Sequence, residues 1–183
     1  GVEQDYEKAK EYYEQAALLG YSDAQCNLGY MYQEGLGVEV NYQEAIKWYK
    51  KAIEQNESIA KSNLAEMYIY GHGVEVDCQR ALELYEEALQ DALKVDDEEE
   101  ISIVLFNIAE MHEMGYGMEV DYEKALELYE NMDENTKKFA EKEIVNLISN
   151  ANYNNKEEKN YLNFNLVFCG NFDDLPNNMG SPI

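Results

Sequence analysis

Small and apolar residues recur along this chain with a fixed helical spacing. After each of Asp5, Asn41, Asp77 and Asp121 they return every three or four positions: Ala9, Tyr13, Ala16; Ala45, Tyr49, Ala52; Ala81, Tyr85, Ala88; Ala125, Tyr129, Met132. That period places them on one face of an α-helix. A short side-chain oxygen just before such a run can accept from a first-turn backbone N–H. The four Asp/Asn residues therefore read as N-caps of helices starting near 5, 41, 77 and 121, the B helices. A second set precedes the later runs: Ala24, Leu28, Gly29, Tyr32; Ala60, Leu64, Ala65, Tyr68; Val104, Ile108, Ala109, His112. These are the A helices, and the small residue at Gly29, Ala65 and Ala109 lets a facing helix come close. Ala140, Ile144, Val145 and Ile148 show the A spacing once more, as a final capping helix would.

Both patterns belong to one repeating unit. Gly1-Val2-Glu3-Gln4-Asp5-Tyr6-Glu7-Lys8-Ala9 aligns with the stretches beginning at Gly37, Gly73 and Gly117, at spacings of 36, 36 and 44. The eight extra residues of the last interval fall around Lys94–Ile101. Glycine pairs (Gly35 and Gly37, Gly71 and Gly73, Gly115 and Gly117) stand between A and B, where a chain reversal needs positive φ. A lone helix pair cannot bury its apolar face, so the units should stack. The expected fold is all-α, a right-handed α/α superhelical solenoid of roughly three and a half repeats over residues 1–150. A polar linker, 151–160, and an extended or disordered tail, 161–183, should follow. In the tail, Leu162, Phe164, Leu166 and Phe168 alternate with their neighbours as in a strand. A single strand is unstable alone, so this segment is expected to dock in the groove of this or another copy, or against a following domain. The first B helix has no A helix before it, which exposes the surface around Ala9, Tyr13 and Ala16. Together with a start at Gly1 in place of Met, this fits a piece of something longer.

The register from Ala24 through Leu28-Gly29, Tyr32, Gly35, Gly37-Val38, Tyr42 and Ala45 to Tyr49 resembles the Sel-one-like repeat, a relative of the tetratricopeptide repeat. The Gly-x-Gly insert distinguishes it from plain tetratricopeptides. Departures are Cys78 for Tyr, Ala65 and Ala109 for Gly, and His112 for Tyr. The resemblance covers about residues 1–150 and implies an adaptor holding protein partners, not a catalyst. In tetratricopeptide-like stacks the A helices build the concave wall. By that register the exposed inner positions are Cys26, Tyr30, Gln33 and Glu34, then Ser62, Glu66, Ile69 and Tyr70, then Phe106, Glu110, Glu113 and Met114. An acidic and apolar groove suits a partner peptide or helix that is basic or neutral and carries apolar anchors. The alternative reading is a regulatory or substrate-recruiting module cut from a larger signalling enzyme or ubiquitin-ligase complex. Self-association has two routes, the uncapped N-terminal helix and the tail.

Charge sharpens this picture. Fourteen Lys and Arg face 38 Asp and Glu, a formal net charge of −24. Such a chain lacks the basic stripe that phosphate neutralisation requires, so nucleic acid is excluded, and anionic membrane surfaces are disfavoured. No apolar run approaches the length of a spanning helix, and no signal-peptide pattern opens the chain. Cys26, Cys78 and Cys169 form neither a disulfide framework nor a zinc knuckle, which points to a reducing, cytoplasmic setting. The sequon Asn56-Glu57-Ser58 is the one counter-signal.

No catalytic residues, metal ligands or cofactors are expected. The Gly-x-Gly turns follow helices and lack the third glycine and preceding strand of a nucleotide fold. His72 falls inside such a turn and His112 at a core-edge tyrosine position, with no second ligand at helical spacing. Without a nucleophile and base to name, a free-standing hydrolase finds no support. The acidic run Asp96–Glu100 is expected as a solvated loop that caps the third A helix, Asp96 and Glu99 standing at capping-box spacing. The tyrosines at repeat positions, Trp48, Tyr12 and Leu84 are expected in the core.

Overall fold

A computed structural model describes residues 5–133. Among these residues the chain forms seven α-helices and no strand: α1 Tyr6–Leu18, α2 Ser22–Glu34, α3 Tyr42–Ile53, α4 Ser58–Tyr70, α5 Cys78–Val95, α6 Glu98–Met114 and α7 Tyr122–Glu130. The final A helix, the linker and the tail with Leu162, Phe164, Leu166 and Phe168 lie outside the described residues. The fold is an all-α helical repeat solenoid in which α2, α4 and α6 are the A helices and α1, α3, α5 and α7 the B helices.

Each B helix starts with the same local chemistry. The side chains of Asp5, Asn41, Asp77 and Asp121 accept from the backbone N–H of Lys8, Glu44, Arg80 and Lys124. Each A helix ends alike. Gly35, Gly71 and Gly115 take the left-handed conformation and donate their N–H to the carbonyls of Met31, Met67 and Met111. The turn closes when the N–H of Asn41, Asp77 and Asp121 reaches back to the carbonyls of Tyr32, Tyr68 and His112, at 2.8, 3.0 and 2.9 Å. The second glycine has a longer-range role. A Cβ on Gly37 would stand 2.6 Å from the Tyr6 backbone, and one on Gly73 2.7 Å from the Tyr42 Cβ. Each turn thus rests on the first residue of the B helix one repeat earlier.

The core is built from the predicted positions. Tyr49, Tyr85 and Tyr129 are buried beside Ala45, Ala81 and Ala125, which are fully covered. At Gly29 an added Cβ would lie 2.7 Å from the Tyr49 ring, so the small residue is needed where α2 meets α3. Polar ties link successive helices. Gln25 donates to the Ala17 carbonyl while accepting from Gln55, and Lys61, itself buried, pairs with Asp91 at 2.6 Å.

Two expectations need correction. The eight-residue insertion is not a loop. It lengthens α5 to 18 residues and α6 to 17, because Ala88 and Ala92 continue the buried face of α5 and Ser102 that of α6. The cap of α6 is Asp97, which accepts from the Glu100 N–H, while Asp96 takes the left-handed conformation that ends α5. Tyr12 is the other correction: it is 71% exposed, with Tyr13 at 36% and Leu18 and Leu19 open as well. Trp48 and Leu84 are buried as expected, for they have a helix on each side, whereas among the described helices α1 packs mainly against α2.

Candidate functional site

The twelve A-helix positions predicted for the wall fall by register into columns, one residue per repeat: Cys26, Ser62, Phe106; Tyr30, Glu66, Glu110; Gln33, Ile69, Glu113; Glu34, Tyr70, Met114. Burial sorts them. Cys26, Gln33, Ser62, Glu66 and Phe106 are buried and belong to the stack. Tyr30, Ile69, Tyr70, Glu110, Glu113 and Met114 are half-buried, and Glu34 is exposed. The expectation that all twelve are open therefore fails at five. The first column is buried throughout: Cys26 meets Asn63 of the next A helix at 3.7 Å, and the Phe106 ring lies 5.6 Å from that of Tyr129.

Two of the B-helix tyrosines bond to these positions. Tyr49 donates to Gln33 at 2.8 Å and Tyr129 to Glu113 at 3.2 Å, both from sixteen residues further along the chain. At the same spacing from Tyr85 stands Ile69, which has no polar group to offer. The Tyr85 hydroxyl is held well above its ordinary range by burial first, then by Glu66, Glu110, Tyr70 and Tyr116 nearby. Tyr70 is raised in the same way, by burial, by Glu110 and by a hydrogen bond with Tyr116. Two carboxylates and three tyrosines from α4, α5, α6 and the turn after α6 thus influence one another.

Glu66 is perturbed as well. Burial pushes its carboxyl up to about 7, Gln33 opposes this by donating at 3.4 Å, and the charge of Glu34 adds to the rise. Gln33 also donates to Glu34 at 3.1 Å, so one amide ties two acids and the Tyr49 hydroxyl. Eight of the nine described lysines and arginines have partners elsewhere, and Lys50 lies exposed on α3. Lys8, Lys10, Lys47, Arg80, Lys94 and Lys124 pair with acids of their own helix or its cap, Lys51 lies over the Trp48 ring, and Lys61 reaches Asp91 and Glu87.

An aromatic group borders the wall at the turns. His72 stacks on Tyr42 at 4.7 Å, and Tyr70 stands 5.8 Å from His72 and 6.3 Å, edge-on, from Tyr116. These turn residues were not among the predicted wall positions. The signal that would have found them is the middle residue of Gly-x-Gly, aligned as Leu36, His72 and Tyr116. A second acidic group, Asp23, Glu57 and Glu100, lies at the opposite end of the A helices, where burial and Asp23 raise Glu57 to about 7. Among the described residues no group of His, Cys, Asp and Glu is arranged to hold a metal ion, and no helix is long and apolar enough to cross a membrane.

Comparison with known proteins agrees with this geometry. The family model described as Sel1 repeat matches residues 1–21, 22–57, 58–91 and 102–131. The unmatched stretch after 91 coincides with the helical insertion. The crystal structure of a Sel1 repeat protein from Oxalobacter formigenes is similar at 34% identity and a TM-score of 0.58, over 70% of this chain and 49% of that one. The crystal structure of c5321, a protective antigen present in uropathogenic Escherichia coli strains and displaying an SLR fold, is 29% identical with a TM-score of 0.47. The match covers 70% of this chain and 34% of that one. The chain thus spans about half the length of the first of these proteins and a third of the second. No curated protein matches its sequence. Sel1 repeats are generally protein-interaction modules and typically non-catalytic. With four matched units and the repeated caps, turns and tyrosines described above, this chain belongs to the Sel1 repeat family.

Proposed function

We propose that this chain is a non-catalytic scaffold that holds a segment of a partner protein along the wall formed by α2, α4 and α6, on the concave side of the stack. The observation that carries the reading is the unbalanced wall: half-buried Tyr70, Ile69 and Met114 stand among Glu34, Glu66, Glu110 and Glu113, while no Lys or Arg occupies any of its twelve positions. A peptide or helix with apolar anchors beside Lys or Arg complements that surface, burying its anchors at the centre and gaining attraction and register from the charges. Affinity capture with the intact chain, alongside its Tyr70→Ala and Glu110→Lys variants, tests this reading. A specific partner should be retained by the parent and lost from both variants. Full retention by both would show that the partner binds elsewhere.

Two further points belong to the same reading. The exposed Tyr12, Leu18 and Leu19 of α1 support self-association through that end of the stack; sedimentation as a monomer at high concentration would remove this point. The odd set of Cys26, Cys78 and Cys169, without a disulfide-framework spacing, supports a reducing, cytoplasmic setting; a glycan on Asn56 in the native protein would overturn it.

A further inference from the structure

The B-helix tyrosines share a register but not a partner. Tyr49, Tyr85 and Tyr129 hold the same place in successive repeats, and Tyr85, at 4%, is more open than the other two, at 0% and 1%. Sixteen residues before each stands a wall position: Gln33, Ile69 and Glu113. Tyr49 donates to Gln33 at 2.8 Å and Tyr129 to Glu113 at 3.2 Å, so the register aims each hydroxyl at that position. Ile69 packs against the cluster that contains Tyr85, and it has no group that accepts a hydrogen bond. Glu66, Glu110, Tyr70 and Tyr116 act on the Tyr85 hydroxyl electrostatically, but among the described residues none bonds to it. Its oxygen is not sealed in either. Among the described residues the fully buried side-chain polar atoms without a partner are Ser62 Oγ and His72 Nδ1, and the Tyr85 oxygen is not one of them. It therefore keeps an opening to solvent, beside half-buried Ile69.

We propose that the Tyr85 hydroxyl and the Ile69 side chain form a subsite of the groove that takes one amide carbonyl of the partner segment. The assignment rests on the groove reading given above and deepens it. A phenol hydroxyl donates one hydrogen bond, and Gln33 shows the matching acceptor in its own repeat, an amide oxygen 2.8 Å from the Tyr49 oxygen. A neutral amide suits this wall better than a carboxylate. Glu34, Glu66, Glu110 and Glu113 already occupy it and no Lys or Arg does, so a further negative charge is repelled. A polar group with little access to solvent is costly to leave unpaired, which makes the Tyr85 hydroxyl a stronger attractor than an open one. Ile69 adds apolar contact beside the bond and keeps water from it.

Urea denaturation separates this subsite from a purely structural tyrosine. Tyr49→Phe should lower the midpoint, because Gln33 loses its donor, whereas Tyr85→Phe should leave the midpoint in place. In an Ile69→Gln background, where the hydroxyl has an acceptor again, Tyr85→Phe should lower it too. A loss with Tyr85→Phe that matches Tyr49→Phe would show a bond inside the protein and overturn the subsite. For binding, peptides are selected on the intact chain from a random display library and kept when Tyr70→Ala or Glu110→Lys abolishes them. Tyr85→Phe should weaken these peptides by about three- to tenfold, with circular dichroism unchanged. Alanine scanning of the peptides then locates the carbonyl. A side-chain amide shows as an Asn or Gln whose loss matters to the parent and not to Tyr85→Phe. A main-chain carbonyl shows as a Tyr85→Phe loss that no alanine reproduces. Groove-dependent peptides that bind Tyr85→Phe as tightly as the parent would overturn the subsite and leave the groove reading standing. Recovery of no groove-dependent peptide would remove both.

Discussion

Single atoms decide the spacing of the stack at Gly29. An added methyl would fall 2.7 Å from the Tyr49 ring, which is itself fully buried and held by Gln33. Gly29→Ala should therefore destabilise the protein by about 1–3 kcal/mol through overpacking. Ala65 occupies the corresponding place in the next repeat with its methyl already accommodated, and Ala65→Gly should cost only about 1 kcal/mol in helix propensity. Urea denaturation of both variants checks the order. Glu66 gives a pH signature. Its carboxyl titrates near 7 when folded against an ordinary 4.5, so between these values the folded chain keeps a proton that the unfolded chain has released. Stability should be greatest near pH 5, fall as pH rises to 7 and then level off, by up to about 3 kcal/mol. Glu57, also raised to about 7, acts in the same direction, whereas Asp91 is lowered by Lys61 and Lys94 and acts only at more acid pH. Denaturation midpoints across that range should show the slope, and Glu66→Gln should reduce it. The periodic small residues and caps were legible in the sequence because each acts within its own turn of chain. The proton on Glu66 was not, because it depends on burial that only the stacked helices create.

At the scale of elements, the helices are joined by a few polar ties between apolar faces. Lys61 is the clearest: on α4, buried to 7% exposure, it reaches Asp91 of α5 at 2.6 Å and Glu87 at 3.6 Å. Lys61→Met should cost about 1–3 kcal/mol, because two acids are left beside an apolar group while the packing volume is kept. An accompanying Asp91→Leu should recover part of that loss, and a double-mutant cycle measures the coupling. Sequence reading missed this pair, since Lys61 and Asp91 lie 30 residues apart and the same two positions one repeat earlier, Gln25 and Gln55, hold neutral residues. It also misjudged the insertion. A run of five acids from Asp96 to Glu100 looks like loop, yet Asp97 caps α6 and the acids occupy its first turn, where the helix dipole favours them. Period and capping distance located the helices well, but the boundary moved by one residue because Asp96 adopted the left-handed conformation.

For the whole molecule, the excess of acid divides into two populations. On the B helices the acids pair with lysines and Arg80 three or four residues away, or stand in solvent, and serve mainly solubility. On the A-helix wall they stand without basic residues at any of the twelve positions, beside half-buried Tyr70, Ile69 and Met114. That contrast makes the wall the proposed binding surface. Repeat register alone named the columns proposed for it, but it could not tell that Cys26, Ser62 and Phe106, the first of them, are buried within the stack. Nor could it foresee that Ile69 would leave the Tyr85 hydroxyl without the partner its neighbours have. Amide hydrogen exchange, comparing the free chain with a complex formed by a display-selected peptide, tests the central claim most directly. Added protection should fall on the C-terminal halves of α4 and α6, around Glu66–Tyr70 and Glu110–Met114, with α1, α3 and α5 unchanged. Protection on the B helices, or at the open end of α1, would contradict it.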